Sequence, residues 1–115
     1  MGIHLKEFNI KSDMPAAKDA VARIASNIRS SRASGASAVK IIHGYGSSGR
    51  GGKIRIEARR YLQEQKNKGL IADFIPGEEF SIFSEKTLNA FQFCDELRKD
   101  SDLEGYNYGI TIVIL

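Results

Sequence analysis

The sequence predicts a single α/β domain of two layers, in the order βαβαβ(α)β, with helices packed on a mainly parallel four-stranded sheet. Three observations predict it. Short β-branched runs alternate with longer segments of helical period. Strands that alternate with helices are joined by crossovers, which favours parallel pairing. The last run, "ITIVIL" (110–115), has no polar alternation beyond one threonine, as in strands buried on both faces. At 115 residues the chain fits one domain with one core.

The elements follow in order. "IHLKEFNI" (3–10) places Ile3, Leu5, Phe8 and Ile10 in an imperfect alternation and predicts the first strand. Asp13 suits an N-cap and Pro15 a first helical turn. From there Ala17, Val21, Ile24, Ala25 and Ile28 mark one helical face, and Gly35 predicts the stop. "AVKII" (38–42) is the second strand. After a glycine-rich stretch, Ile54, Ala58, Tyr61, Leu62 and Gln65 share a second helical face, which Gly69 closes as a C′ residue. "LIADFI" (70–75) predicts a third strand, ended by "PGEE". "FSIF" (80–83) is ambiguous. Ser84 can cap a third helix carrying Leu88, Phe91, Cys94 or Asp95, and Arg98 on successive turns. "SDLEGYNYG" is rich in turn residues.

Composition excludes several classes. No run approaches the 18 apolar residues of a membrane span, so no membrane association is expected. Residues 1–11 lack the apolar core of a secretory signal. Cys94 is the sole cysteine, which excludes an internal disulfide or a cysteine-cluster zinc site; among Phe91, Phe93 and Leu97 it predicts a buried thiol. These features predict a cytoplasmic protein with no bound metal or cofactor. The net charge of +3 hides an asymmetry: residues 1–70 hold 14 Lys+Arg against 5 Asp+Glu, and residues 71–115 hold 3 against 9. A basic half points to a polyanionic partner. The acidic tract at 95–104 is expected to be solvated surface, or to shield the basic face or repel nucleic acid on that side.

The basic residues gather beside a loop. "VKIIHGYGSSGRGGKIRIEARRYL" (39–62) holds His43, five glycines between 44 and 52, and a run of arginines. A Walker A loop fails at two positions: Ser47 stands where its first glycine belongs, and Ile54 where its magnesium-binding hydroxyl belongs. The dinucleotide pattern G-x-G-x-x-G is met by Gly44-Tyr45-Gly46-Ser47-Ser48-Gly49, between a strand and a helix. Its acidic ribose ligand, however, is expected at the end of the next strand, where Glu78 and Glu79 stand far along. Arg50-Gly51-Gly52 also extends the loop before the helix starts. A nucleic-acid backbone suits the stretch better. Glycines let the chain approach phosphates, and a helix N-terminus offers free N–H groups. Arg50, Lys53, Arg55, Arg59 and Arg60 spread charge along an extended polyanion. Tyr45 can stack on a base, and Lys11 can reach phosphate.

The strand ending "VKIIHGYGSSG", followed by a basic amphipathic helix, resembles the Smr (small MutS-related) domain family. That family carries an H-G-x-G motif and ends in a strand of the type G-x-G-x-T-x-V-x-L, to which "NYGITIVIL" (107–115) is similar. The resemblance covers residues 1–115 as one domain, with 80–106 as an insertion. It implies binding of DNA or RNA, branched or single-stranded, and in some members nicking or cleavage. His43, Gly44 and Gly46 fall on the H-G-x-G positions, so His43 is the candidate catalytic residue if the chain is a nicking endonuclease. The family's other signature, L-D-x-H-G, would fall near 8–12, where Phe8-Asn9-Ile10-Lys11-Ser12 stands. Asn9 replaces the acid and Lys11 the histidine. That departure favours binding over cleavage. The cleaving and cofactor-binding readings stay open beside it.

Overall fold

A computed structural model describes residues 4–10, 16–44 and 49–115; of residues 49–51 it describes only the backbone. Asp13 and Pro15 lie outside the described residues. Among the described residues there are four strands and three helices: β1 (Leu5–Asn9), α1 (Ala17–Ala33), β2 (Ala38–Ile42), α2 (Gly49–Asn67), β3 (Asp73–Pro76), α3 (Glu85–Phe93) and β4 (Ile110–Ile114), with short 3-10 turns at Gly77–Glu79 and Asp95–Lys99.

α1 and α2 end where glycines stand. Gly35 (φ +86) and Gly69 (φ +74) occupy left-handed backbone. Around each, paired reverse hydrogen bonds close the last turn: Gly35 N to Arg32 O and Ala36 N to Ser31 O, then Gly69 N to Lys66 O and Leu70 N to Gln65 O. This is the Schellman arrangement, which needs a residue tolerant of positive φ.

The sheet runs β1-β2-β4-β3. β1 and β2 pair in parallel, but β4 lies antiparallel between β2 and β3. The sheet is therefore mixed, not mainly parallel. β4 is buried along its length because it is central and covered on both sides, a condition that does not require parallel neighbours.

Nor is the domain two-layered. α1 and α2 cover one face, where Ile24, Ile28, Val39, Ile41, Ile54, Leu62 and Val113 form a core. The segment 80–103 covers the other, where Phe80, Ala90, Phe91, Cys94 and Leu97 pack on Ile75, Ile110, Ile112 and Ile114. Alternate residues of β2 and β4 feed the two cores, as the pleat requires. α3 presents Thr87, Ala90 and Phe91 inward while Leu88 is exposed, so its face is turned from the one the sequence predicts. Cys94 is buried, and burial pushes its thiol up.

Candidate functional site

The antiparallel insertion of β4 brings four chain segments to one rim. The carboxyl ends of β1, β2 and β3 meet the amino end of β4 there: Asn9, Ile42 and Ile110 are in register across three strands, and Pro76 pairs with Thr111. His43 and Gly44 leave β2 at this rim, and both backbone N–H groups donate to Gly109 O, at 3.0 and 2.9 Å. Gly44 turns with φ +70, a conformation that a side chain would strain. α2 begins at Gly49, so Arg50, Gly51 and Gly52 belong to its first turns and do not lengthen the loop as the sequence suggests.

His43 is fully buried. Its Nδ1 lies 2.7 Å from Gly44 O. A carbonyl only accepts, so Nδ1 carries the proton. Nε2 then accepts from the Thr111 hydroxyl, 2.8 Å away. The Thr111 oxygen in turn accepts from Arg59 Nε at 3.3 Å. Burial, with the nearby charges of Arg59 and Arg55, lowers the His43 pKa to about 4 despite the Gly44 hydrogen bond, so the ring is neutral near pH 7. Neutral, singly protonated and engaged at both nitrogens, His43 ties β2, the start of the loop and β4 together.

Arg59 reaches the same rim from α2. Its Nη1 and Nη2 donate to Glu78 Oε2 and Oε1, each at 2.7 Å, a bidentate pair. Nη2 also approaches Ile110 O at 3.3 Å and Tyr108 O at 3.4 Å. Burial opposes the Glu78 charge, but Arg59 outweighs it and holds the carboxyl below its ordinary value. Glu78 is the acid that the dinucleotide reading requires for ribose, and Arg59 already occupies it.

The other predicted residues divide. Arg60 pairs with Glu57 in an exposed i,i+3 contact at 3.1 Å. Lys53 is exposed. Arg55 is half-buried, and its Nε is enclosed without a hydrogen-bond partner. Its charge acts on both His43 and Glu78, which places it at the same rim. Lys11, Tyr45, Gly46 and the Arg50 side chain lie outside the described residues. Sequence reasoning missed Thr111, and it weighed Glu78 only as a ribose ligand, not as the partner of Arg59. Thr111 stands at the threonine of G-x-G-x-T-x-V-x-L, which is the signal that could have found it; Glu78 carries no such mark.

A second cluster lies on the opposite face. Lys40, buried in β2, reaches Asp100 Oδ1 at 2.9 Å, Asp102 Oδ2, and Glu7 Oε1 at 3.7 Å. Burial works against its charge, but Asp102 and Asp100 outweigh it and hold the amine above its ordinary value. Two acids of the 95–104 tract are thus internal partners of a buried lysine.

The family model of the Smr domain matches residues 14–78, from α1 through the turn after β3. No curated protein and no solved structure matches the chain significantly. Among the described residues no helix is long and apolar enough to cross a membrane.

Proposed function

The chain belongs to the Smr domain family, and from that premise we propose that it binds nucleic acid by the phosphate backbone, at the loop after β2 and the first turns of α2. The observation that carries this reading is Arg55. A guanidinium Nε enclosed without a partner costs about 1–3 kcal/mol. Its neighbour Arg59 has a full set of partners, so the fold does satisfy arginines where their role is internal. A phosphate oxygen admitted to the rim would offer Arg55 the acceptor it lacks, which requires the atoms now covering Nε to move. Lys53, and Arg60 once released from an exposed pair worth at most about 1 kcal/mol, add contacts along a strand. Lys11, Tyr45, Gly46 and Arg50 join them on sequence grounds, and Gly44 supplies the close approach of backbone to phosphate.

Arg59 and His43 have a different role in this reading. They hold the rim from beneath, with the arginine's charge balanced by Glu78. Cleavage through His43 requires a ring nitrogen able to exchange a proton with substrate, and both nitrogens are engaged. Binding without cleavage is therefore the function proposed.

The test is a panel of single-stranded, duplex and branched DNA and RNA, measured at two salt concentrations. Affinity that falls steeply with salt, with substrates recovered intact, is expected. Absence of binding to every member overturns the reading. Nicking by purified protein, abolished by His43→Ala, overturns the assignment of His43.

A further inference from the structure

The segment between the 3-10 turn at Asp95–Lys99 and β4 carries two tyrosines that the charge-based reading does not use. Tyr106 is 62% exposed and Tyr108 50%. This loop is not loose. Asn107 Nδ2 donates to Asp102 Oδ1 at 2.9 Å, and Gly109 N donates to Asn107 Oδ1 at 2.9 Å. The loop also presses on Gly77, where a Cβ would collide with Asn107 O and lie 2.6 Å from the Ile110 side chain. Tyr106 itself is held at φ +50, a left-handed backbone uncommon for a bulky residue. Glu104, also left-handed at φ +65, has local compensation: its carboxylate accepts from Ser81 Oγ and Ile82 N.

The loop is also in the right place. Tyr108 O touches Arg59, and the next carbonyl, Gly109 O, receives both N–H groups that start the glycine loop. The backbone at Tyr108 and Gly109 therefore meets the rim at which Arg55 lies with its unpartnered Nε, and Tyr106 stands two residues before it. We infer that Tyr106 and Tyr108 form a stacking platform for unpaired bases of a single strand whose phosphates run along the loop after β2 and α2. The inference rests on the nucleic-acid reading above and adds the base-contacting surface. Backbone contacts hold a strand without regard to sequence; aromatic faces add affinity that every unstacked base can supply and a paired base cannot. The platform accordingly favours single strands over continuous duplex. Because deoxyribose and ribose strands both present base faces for stacking, oligodeoxythymidylate and oligouridylate serve as separate arms of the test.

The experiment compares base-bearing single strands with abasic strands of equal length and charge. The parent protein is expected to bind the base-bearing strand about tenfold more tightly than its abasic counterpart, which corresponds to about 1.4 kcal/mol. Tyr106→Ala/Tyr108→Ala is expected to erase that difference while leaving abasic binding and its salt dependence unchanged. Tyr106→Phe/Tyr108→Phe is expected to keep it. Tyr106→Gly separates binding from folding, because glycine accepts φ +50 freely: Tm is expected to stay at or above the parent value while base preference falls. If the parent binds both strands equally, or the double alanine variant loses both equally, the platform is overturned while backbone binding stands. If the parent binds neither strand, both readings fall.

Discussion

The two faces of the sheet carry polar clusters built from similar parts and put to different ends. On one, Lys40 is buried between Asp100 and Asp102, with Glu7 beside them. On the other, Arg59 is clasped by Glu78 and joined through Thr111 to a buried His43. The Lys40 cluster is self-contained: carboxylates from a distant loop fasten the segment 80–106 to the sheet. The His43 cluster ends in an arginine, Arg55, whose Nε is enclosed without a partner, at the rim where the glycine loop begins. The first cluster is satisfied internally, and the second leaves one nitrogen of a half-buried arginine without a partner. This difference can be broken from either side.

The largest effect is expected at Lys40. Lys40→Met leaves Asp100 and Asp102 facing an apolar side chain, and removing one partner of a buried pair typically costs about 3–5 kcal/mol. Urea denaturation of Lys40→Met should show that loss, and adding Asp100→Asn and Asp102→Asn should recover a large part of it. Nucleic-acid affinity of the folded protein should not change. A loss of affinity at full stability would erase the contrast between the faces.

Acidity should then distinguish them. His43 is neutral in the fold with its pKa lowered to about 4, so its contribution is complete above the unfolded value of 6.5 and is lost as pH falls towards 4. Across that window the loss is about 3 kcal/mol, from 1.36 kcal/mol per pKa unit. Glu78 and Asp102, both held below their ordinary values, weaken the fold only at lower pH still, below about 4. Lys40 is held above its ordinary value, so its contribution is lost at the alkaline end, as pH rises through the raised value. Denaturation midpoints measured from pH 7.5 to 4 should therefore fall for the parent and flatten for His43→Gln. A parallel fall in both would remove the histidine from the network.

Much of this was legible in the sequence, and the exceptions have a common cause. "AVKII" reads as the strand Ala38–Ile42, and Gly35 and Gly69 read as helix stops, because those properties are local. Strand order is not. Nothing within "ITIVIL" says that its neighbours run the other way, since burial on both faces looks alike in parallel and antiparallel sheets. The acids at 100 and 102 read as solvated because their partner is 60 residues away from the nearer of them in sequence. One signal was available: a lysine in the middle of a strand otherwise apolar demands a buried counter-charge. Arg55 and Arg59 read as equivalents, four apart on one helical face. The fold separates them by placing Glu78 within reach of only one bidentate partner.

That separation yields the smallest stability effect and the sharpest functional one. Arg59→Gln removes a bidentate ion pair, both of whose side chains are mostly buried, together with the donor to Thr111. Charged hydrogen bonds of this kind are worth about 1.5–3 kcal/mol, and that loss should appear in Tm. Arg55→Gln removes an Nε that has no partner to lose, so stability should not fall. Binding should respond in the opposite order. Arg55→Gln should weaken attachment to all single strands alike and reduce the log–log salt slope by about 1, as expected when one phosphate contact is lost. Arg59→Gln, measured where it is fully folded, should leave the slope nearly unchanged, because Glu78 already neutralises that guanidinium. Equal salt slopes for Arg55→Gln and the parent would mean that Arg55 meets no phosphate, and the proposed phosphate site would lose its main support.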